Sequence, residues 1–239
     1  MLEPYRAMPV KNTDTATWLE ASIEKPWGRG DNANYAAAII PRGFKSYARL
    51  LHPGYIGNGE REVSWSEVAE HFMRKPHAQM QWHAITKSHH SGISSVGFKA
   101  PNTGSLPQNQ AKVLVEILRK HTTTPQDCYF AIWDGWGFFV SDELQSEAAY
   151  LKLPHRGYYL VRGTIEIAAQ SISSLSWQSA SIWWPRDRAW CVATEVDLMW
   201  TYIGGKSMCI DEILRDKRLD TWSATLDDRV DIQGDLINI

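Results

Sequence analysis

The sequence predicts an α+β fold: a mostly antiparallel sheet with three or four helices packed on it, in a single compact unit. Three observations carry this. Short apolar runs of strand character recur along the chain, helical periodicity is confined to isolated segments, and the Gly-rich loops of dinucleotide-binding and P-loop units are missing.

In chain order, residues 13–24 form a short amphipathic helix containing Trp18, Leu19 and Ile23, and Pro26 to Asn32 is a turn-rich break. YAAAIIP, Tyr35 to Pro41, reads as a strand joined through Arg42-Gly43 to a partner at Phe44 to Leu51, and residues 53–62 read as a polar loop. Ser64 and Glu67 have capping-box spacing ahead of Val68, Ala69 and Phe72, which predicts a helix over 65–74 ended by Pro76. Met80 to Thr86 reads as a strand. Residues 87–107, rich in Ser, Gly, Asn and Pro, read as a long loop of the kind that often serves function.

Gln108 to His121 is the clearest helix, with Ala111, Leu114, Val115 and Leu118 on one face. Cys128 to Val140 reads as a hairpin around Asp134-Gly135. Tyr158 to Arg162 is a strand, Ile165 to Gln170 a short helical segment, and Ser171 to Ser181 a polar, flexible stretch. Ile182 to Pro185 and Trp190 to Val196 are strands, and Tyr202 to Gly205 leads into a helix over Ser207 to Asp216. The expected organisation is an N-terminal helical extension (1–34), an α+β domain (35–225) and an acidic C-terminal tail (226–239).

Composition narrows the function classes. The 239 residues hold 25 Lys plus Arg against 27 Asp plus Glu, and 44% are hydrophobic. A chain of this length buries a substantial core. It lacks the basic stripe of a dedicated nucleic-acid binder, so no nucleic-acid partner is expected. No apolar run approaches the roughly 20 residues needed to span a bilayer, and the first residues lack the apolar core of a secretion signal. With the odd, widely spaced Cys128, Cys191 and Cys209 this points to a reducing cytoplasm and inert buried thiols, not a disulfide framework or Cys-based zinc site. The outlier is tryptophan, twelve residues in all. Trp suits cores, pockets and interfaces alike.

Several segments carry a resemblance together: YARLLHP (Tyr47 to Pro53), the helix from Trp65, HAQMQWHAI (His77 to Ile85), GSLP (Gly104 to Pro107), HTTTPQDCYFAIWDGWG (His121 to Gly137) and WWPRDRAWCVATEVDLMWTYIGG (Trp183 to Gly205). In this order, over roughly residues 35 to 222, the chain resembles an uncharacterised bacterial protein family common in actinobacteria. The resemblance implies no chemistry. Proteins of that kind often serve as immunity proteins of polymorphic toxin systems, an inference by association.

Four constellations bear on chemistry. His71, His77, His83, His89 and His90 fall close together, but a helix end and Pro76 interrupt them, so no metal site is expected. Glu195 and Asp197, two apart in a predicted strand, project to one face. Asp134 and Asp187 can approach them through sheet pairing, and Arg186, Arg188 or Arg162 can neutralise them. Cys191, within a predicted strand, reads as an inert thiol. Finally, Trp133, Asp134 and Trp136 surround one tight turn, while Trp183 and Trp184 precede Arg186, Asp187 and Arg188. If the two turns meet, they form an aromatic surface bearing both charges, the composition of a partner-binding patch.

The leading expectation is therefore a non-enzymatic immunity protein, without cofactor, that occludes a cognate toxin domain. The near-neutral charge suits an ADP-ribosyltransferase-type toxin better than a nuclease. The alternatives are a small hydrolase using Asp134, Glu195 and Asp197, or a small-molecule module with a Trp-lined pocket.

Overall fold

Runs such as CYFAIW and WCVAT place large apolar residues at consecutive positions, so both faces of any sheet they form must be covered. The computed structural model, which describes residues 7–25, 33–57, 61–87, 97–139, 142–173 and 175–239, has this arrangement. In chain order its elements are β1 (Met8–Pro9), α1 (Thr17–Ser22), β2 (Ser46–Leu51), β3 (Gly54–Ile56), β4 (Arg61–Val63), α2 (Trp65–His71) and α3 (Trp82–Thr86). These are followed by β5 (Phe98–Lys99), α4 (Gln108–Leu118), β6 (Cys128–Trp133), α5 (Asp142–Glu147), β7 (Tyr150–Lys152) and β8 (Gly157–Gly163). The chain ends with β9 (Ile182–Pro185), β10 (Trp190–Thr194), β11 (Trp200–Gly205), α6 (Ser207–Arg215) and β12 (Thr221–Ala224).

Nine strands form one sheet in the order β1-β8-β6-β9-β10-β11-β2-β12, with β7 also on β8, and β4-β3-β5 form a second, smaller sheet. Every pairing is antiparallel. The fold is α+β. Among the described residues there are six α-helices rather than three or four, the additional ones being single short turns such as α3 and α5.

Alternation along the strands splits the core in two. One face carries Tyr129, Ala131, Ile182, Trp184, Ala193, Trp200 and Tyr202 and is covered by α1, α2, α3 and the small sheet. The other carries Phe130, Ile132, Trp183, Trp190, Val192 and Ile203 and is covered by α4 and α6. Ser64 caps α2, its hydroxyl accepting from the Glu67 N–H at 3.1 Å. The reciprocal half of the capping box is missing, because the Glu67 carboxylate pairs with Arg61 instead.

Several elements differ from expectation. Tyr35 to Pro41 is not a strand: Ala36–Ala38 form a buried 3-10 turn whose Ala36 and Ala37 N–H groups donate to the carbonyls of Asp228 and Leu226. β2 pairs with β11 and β12 instead. Residues 53–62 contain the β3–β4 pairing. Residues 82–86 are helical, a short apolar run that periodicity alone cannot assign. The Asp134-Gly135 hairpin does not form. β6 ends at Trp133 and a 3-10 helix follows, because the Trp133 ring lies over Gly135 where any Cβ would collide with it. Ser171 to Ser181 is not a loose stretch: Ser179 accepts from Leu106 N–H, donates its own N–H to Ser105 Oγ, and is buried.

Within the expected N-terminal extension the described residues pack on the body: Leu19 and Ile23 enter the core and β1 pairs with β8. Residues 226–239, expected as an acidic tail, run against 34–37 and 75–81 and bury Asp228, Asp235 and Asn238.

Candidate functional site

The two aromatic turns singled out from the sequence do not meet. In the β6–β9 register Cys128 lies opposite Pro185 and Ala131 opposite Ile182. Trp133 to Trp136 and Arg186 to Arg188 therefore sit at opposite ends of the sheet, separated by about five residues of strand, or roughly 17 Å.

At the second end, Trp183 and Trp184 are each 1% exposed and face opposite cores, Trp183 against Phe130 and Trp190, Trp184 against Tyr129 and Trp18. They are core plates, unable to touch a partner. Asp187 closes a turn, accepting from Thr122 Oγ1, Thr123 N, Thr123 Oγ1 and Ala189 N. Burial acts to raise its pKa, but the Thr123, Thr122 and Ala189 donors outweigh that and hold it below the usual carboxylate range. Arg186 lies 3.6 Å from Asp127, and Arg188, at φ 53°, stands over Trp18.

At the first end the carboxylates do gather, with a different arginine from the ones expected. Glu195 and Asp197 follow β10, and one guanidinium, Arg156, holds both: Nη2 lies 2.5 Å from Glu195 Oε1 and 2.6 Å from Asp197 Oδ2. Arg156 also stacks 5.3 Å from the Trp133 ring. Tyr150 donates to Asp134 Oδ2 at 2.7 Å. Trp133 meets Trp136 edge-on at 5.2 Å, both rings half-buried. Burial raises the Glu195 carboxyl despite its partner and raises the Tyr158 hydroxyl beside it. The cavity against Glu195 and Arg156 measures about 20 Å³, room for one water and not for a substrate. Asp187 lies at the far end and takes no part.

The thiols of Cys128, Cys191 and Cys209 are free and buried, and burial pushes Cys128 and Cys209 to about 12 and Cys191 higher still. His71 packs on Phe72 and Phe98, and His77 Nε2 lies 2.9 Å from Asp235 Oδ1. Among the described residues no three His, Cys, Asp or Glu side chains are grouped to hold a metal, and His89 and His90 lie outside them. No described helix is long and apolar enough to cross a membrane.

The surface that sequence reasoning missed lies in the C-terminal segment. Asp235, 4% exposed, is its hub. Its carboxylate accepts from the N–H groups of Ile237 (3.0 Å), Asn238 (2.8 Å) and Gln81 (3.2 Å) and from Asn238 Nδ2 (3.0 Å). Asn238 in turn accepts from Lys75 N–H and donates to the Lys75 carbonyl. A short segment so fixed sends its apolar residues outward: Leu236 is 74% exposed, Ile237 51% and Ile239 92%, and Met73, two residues before the Lys75 that bonds Asn238, is 92% exposed. Ile232 is exposed on the same segment. The signal available in the sequence was the alternation of Asp with Ile and Leu after residue 226, which reads as charge unless the acids are recognised as turn caps.

No family model, no curated protein and no solved structure matches the chain.

Proposed function

We propose that this chain is a non-enzymatic protein-binding domain that works as an immunity protein, seating a toxin domain on the apolar ridge of Met73, Leu236, Ile237 and Ile239. The observation that carries the reading is that these large apolar side chains are exposed while the backbone beneath them is fixed by Asp235 and Asn238. Exposed apolar clusters on a rigid support are characteristic of interaction sites, and preorganisation lowers the entropy lost on binding. The near-neutral charge supports a protein target over nucleic acid, and an ADP-ribosyltransferase-type toxin fits it better than a nuclease.

The hydrolase alternative is less well supported, because Glu195 and Asp197 share one guanidinium beside a cavity of about 20 Å³. The Trp-lined pocket alternative is less well supported because Trp183, Trp184, Trp190 and Trp65 fill the core.

The test is co-expression with an ADP-ribosyltransferase-type toxin domain taken from a gene neighbouring that of this chain, and the absence of any such gene counts against the reading. The wild-type chain should restore growth and bind the purified toxin domain, and the exposed double substitution Leu236→Asp, Ile237→Asp should abolish both while the protein keeps its urea midpoint. Failure of the wild-type chain to protect or to bind sinks the reading.

A further inference from the structure

β12 is the outermost strand of the nine-stranded sheet, beside β2. One bond fixes which of its backbone groups face outward. Leu51 N–H donates to the Asp220 carbonyl at 2.9 Å, so the residue just before Thr221 is bonded across to β2. Antiparallel ladder bonds fall on alternate residues. Trp222 and Ala224 therefore turn their N–H and C=O groups toward β2, and Thr221 and Ser223 turn theirs away from the sheet. Among the described residues no group pairs with these outward N–H and C=O groups, and Ser223 is exposed. Just beyond, Thr225 N–H is taken by Asp228 Oδ2.

An open edge is a template for a further strand, and folded proteins blunt such edges with Pro, Lys or bulges. The opposite edge of this sheet has those devices: β1 contains Pro9 and β7 contains Lys152, both strands lying on β8. β12, Thr-Trp-Ser-Ala, has neither residue, and its pairing with β2 runs through every position without a bulge. Its flanks carry opposite charges, exposed Lys217 before the strand and exposed Asp227 after it. Arg218, next to Lys217, is already neutralised by Asp216 and Glu116.

We propose that two copies of this chain pair antiparallel through β12 across a two-fold axis at Trp222, joining their sheets edge to edge. One register satisfies every outward group: Thr221 of each copy lies opposite Ser223 of the other, and the two exchange N–H···O=C bonds both ways. The same register sets Lys217 of each copy opposite Asp227 of the other, so the flanks attract, whereas parallel pairing would set like charges side by side. It also brings the two half-buried Trp222 side chains together at the axis as a non-hydrogen-bonded pair, the closer of the two antiparallel spacings. A contact of this kind uses the same patch on both copies and closes at a dimer. With 4 strand residues from each copy the interface is small, so the dimer is weak and forms as concentration rises. The proposal is independent of the ridge and of the toxin reading.

The experiment is analytical ultracentrifugation of the full chain from low micromolar to near-millimolar concentration. The wild type should show a reversible monomer–dimer equilibrium with no larger species. Ser223→Pro removes a donor that points away from β2 and so leaves the internal ladder whole. It should weaken the dimer at least tenfold, while Ser223→Ala leaves it unchanged. Circular dichroism of the monomer checks that each variant is folded. Should Ser223→Pro fail to fold, the flanking charges give a second test: Lys217→Glu should weaken the dimer, and Lys217→Glu combined with Asp227→Lys should restore it. A chain that stays monomeric throughout, a dimer indifferent to a folded Ser223→Pro, or a double charge variant no better than Lys217→Glu would each overturn the proposal.

Discussion

Replacing Asp235 by Ala should unfasten the C-terminal segment, and the size of the effect can be worked from its partners. Besides its contact with His77, the carboxylate accepts from four N–H donors; Asn238 Nδ2 keeps the Lys75 carbonyl, so the substitution leaves two donors on residues only 4% exposed, Gln81 N–H and Asn238 N–H, without an acceptor. A buried donor left unsatisfied costs about 1–3 kcal/mol. Two such groups give about 2–6 kcal/mol, and partial access of water to the outer turn favours the middle, about 4 kcal/mol. With a urea slope near 3 kcal/mol/M that is a midpoint shift of about 1 M. The pH dependence carries a sign. Burial acts to raise the Asp235 carboxyl, but the Asn238, Ile237 and Gln81 donors outweigh it, so the folded-state pKa is depressed. Its contribution is therefore fully present above the unfolded value of about 3.9 and is lost as pH falls through the lower folded value. Urea unfolding of wild type and Asp235→Ala at pH 7, and again in steps below pH 4, should show a gap that narrows in acid. A gap under about 1 kcal/mol at pH 7, or one unchanged in acid, would refute the hub.

Two further outcomes follow from buried charges. Arg49 is 2% exposed, stacks 3.9 Å over Trp200 and donates through Nη1 to the Ala78 and Met80 carbonyls, while its Nε and Nη2 have no partner. Arg49→Ala should cost at least about 3 kcal/mol in urea unfolding, whereas Arg49→Met, which keeps the stem packed and removes the unpaired donors, should recover more than half of that. At the other site, Arg156→Ala should destabilise by about 2 kcal/mol because it strands the buried Glu195 carboxylate, discounted for the partial exposure of the arginine. Glu195→Gln should stay within about 1 kcal/mol of wild type at neutral pH, since the lost ion pair is offset by the lost desolvation. Burial raises the Glu195 pKa in the folded state, so its contribution is present in acid and declines as pH rises through that value, a slope that Glu195→Gln should remove.

How much was legible beforehand follows from how local each signal is. The helix at Gln108 and the cap at Ser64 depend on neighbours within a few residues, and the structure has both. The strands around Trp133, Trp183 and Trp190 announce themselves as apolar runs. The segment at Ala36 was misread because its conformation is set by Asp228 and Leu226, nearly two hundred residues away. The same distance hid the acids of the C-terminal segment: Asp228, Asp231 and Asp235 look like solvated charge in sequence and act as acceptors for Thr225, Asn34 and Gln81. At the candidate site, the sequence paired Glu195 with Asp197 but not with Arg156, since that arginine enters from the β7–β8 connection and no periodicity links the two.

The tryptophan excess has a structural account that does not require a pocket. The core on the α1–α3 face contains or packs against Trp18, Trp65, Trp82, Trp133, Trp184, Trp200 and Trp222, against Trp136, Trp183 and Trp190 on the other. The second face is covered by α4 and α6, of 11 and 9 residues, whose own Leu, Val and Ile reach the sheet. The first is covered by helices of 5 to 7 residues, a 3-10 turn and a small sheet. Such short pieces offer few apolar positions each, yet native packing density must still be met. Large rings meet it with the fewest residues: Trp65 lies edge-on to both Trp82 and Trp200, bridging α2, α3 and β11 in one contact set. The composition that suggests an aromatic binding surface is thus accounted for by a wide sheet roofed with irregular segments, and the large apolar side chains left exposed near Asp235 are aliphatic ones.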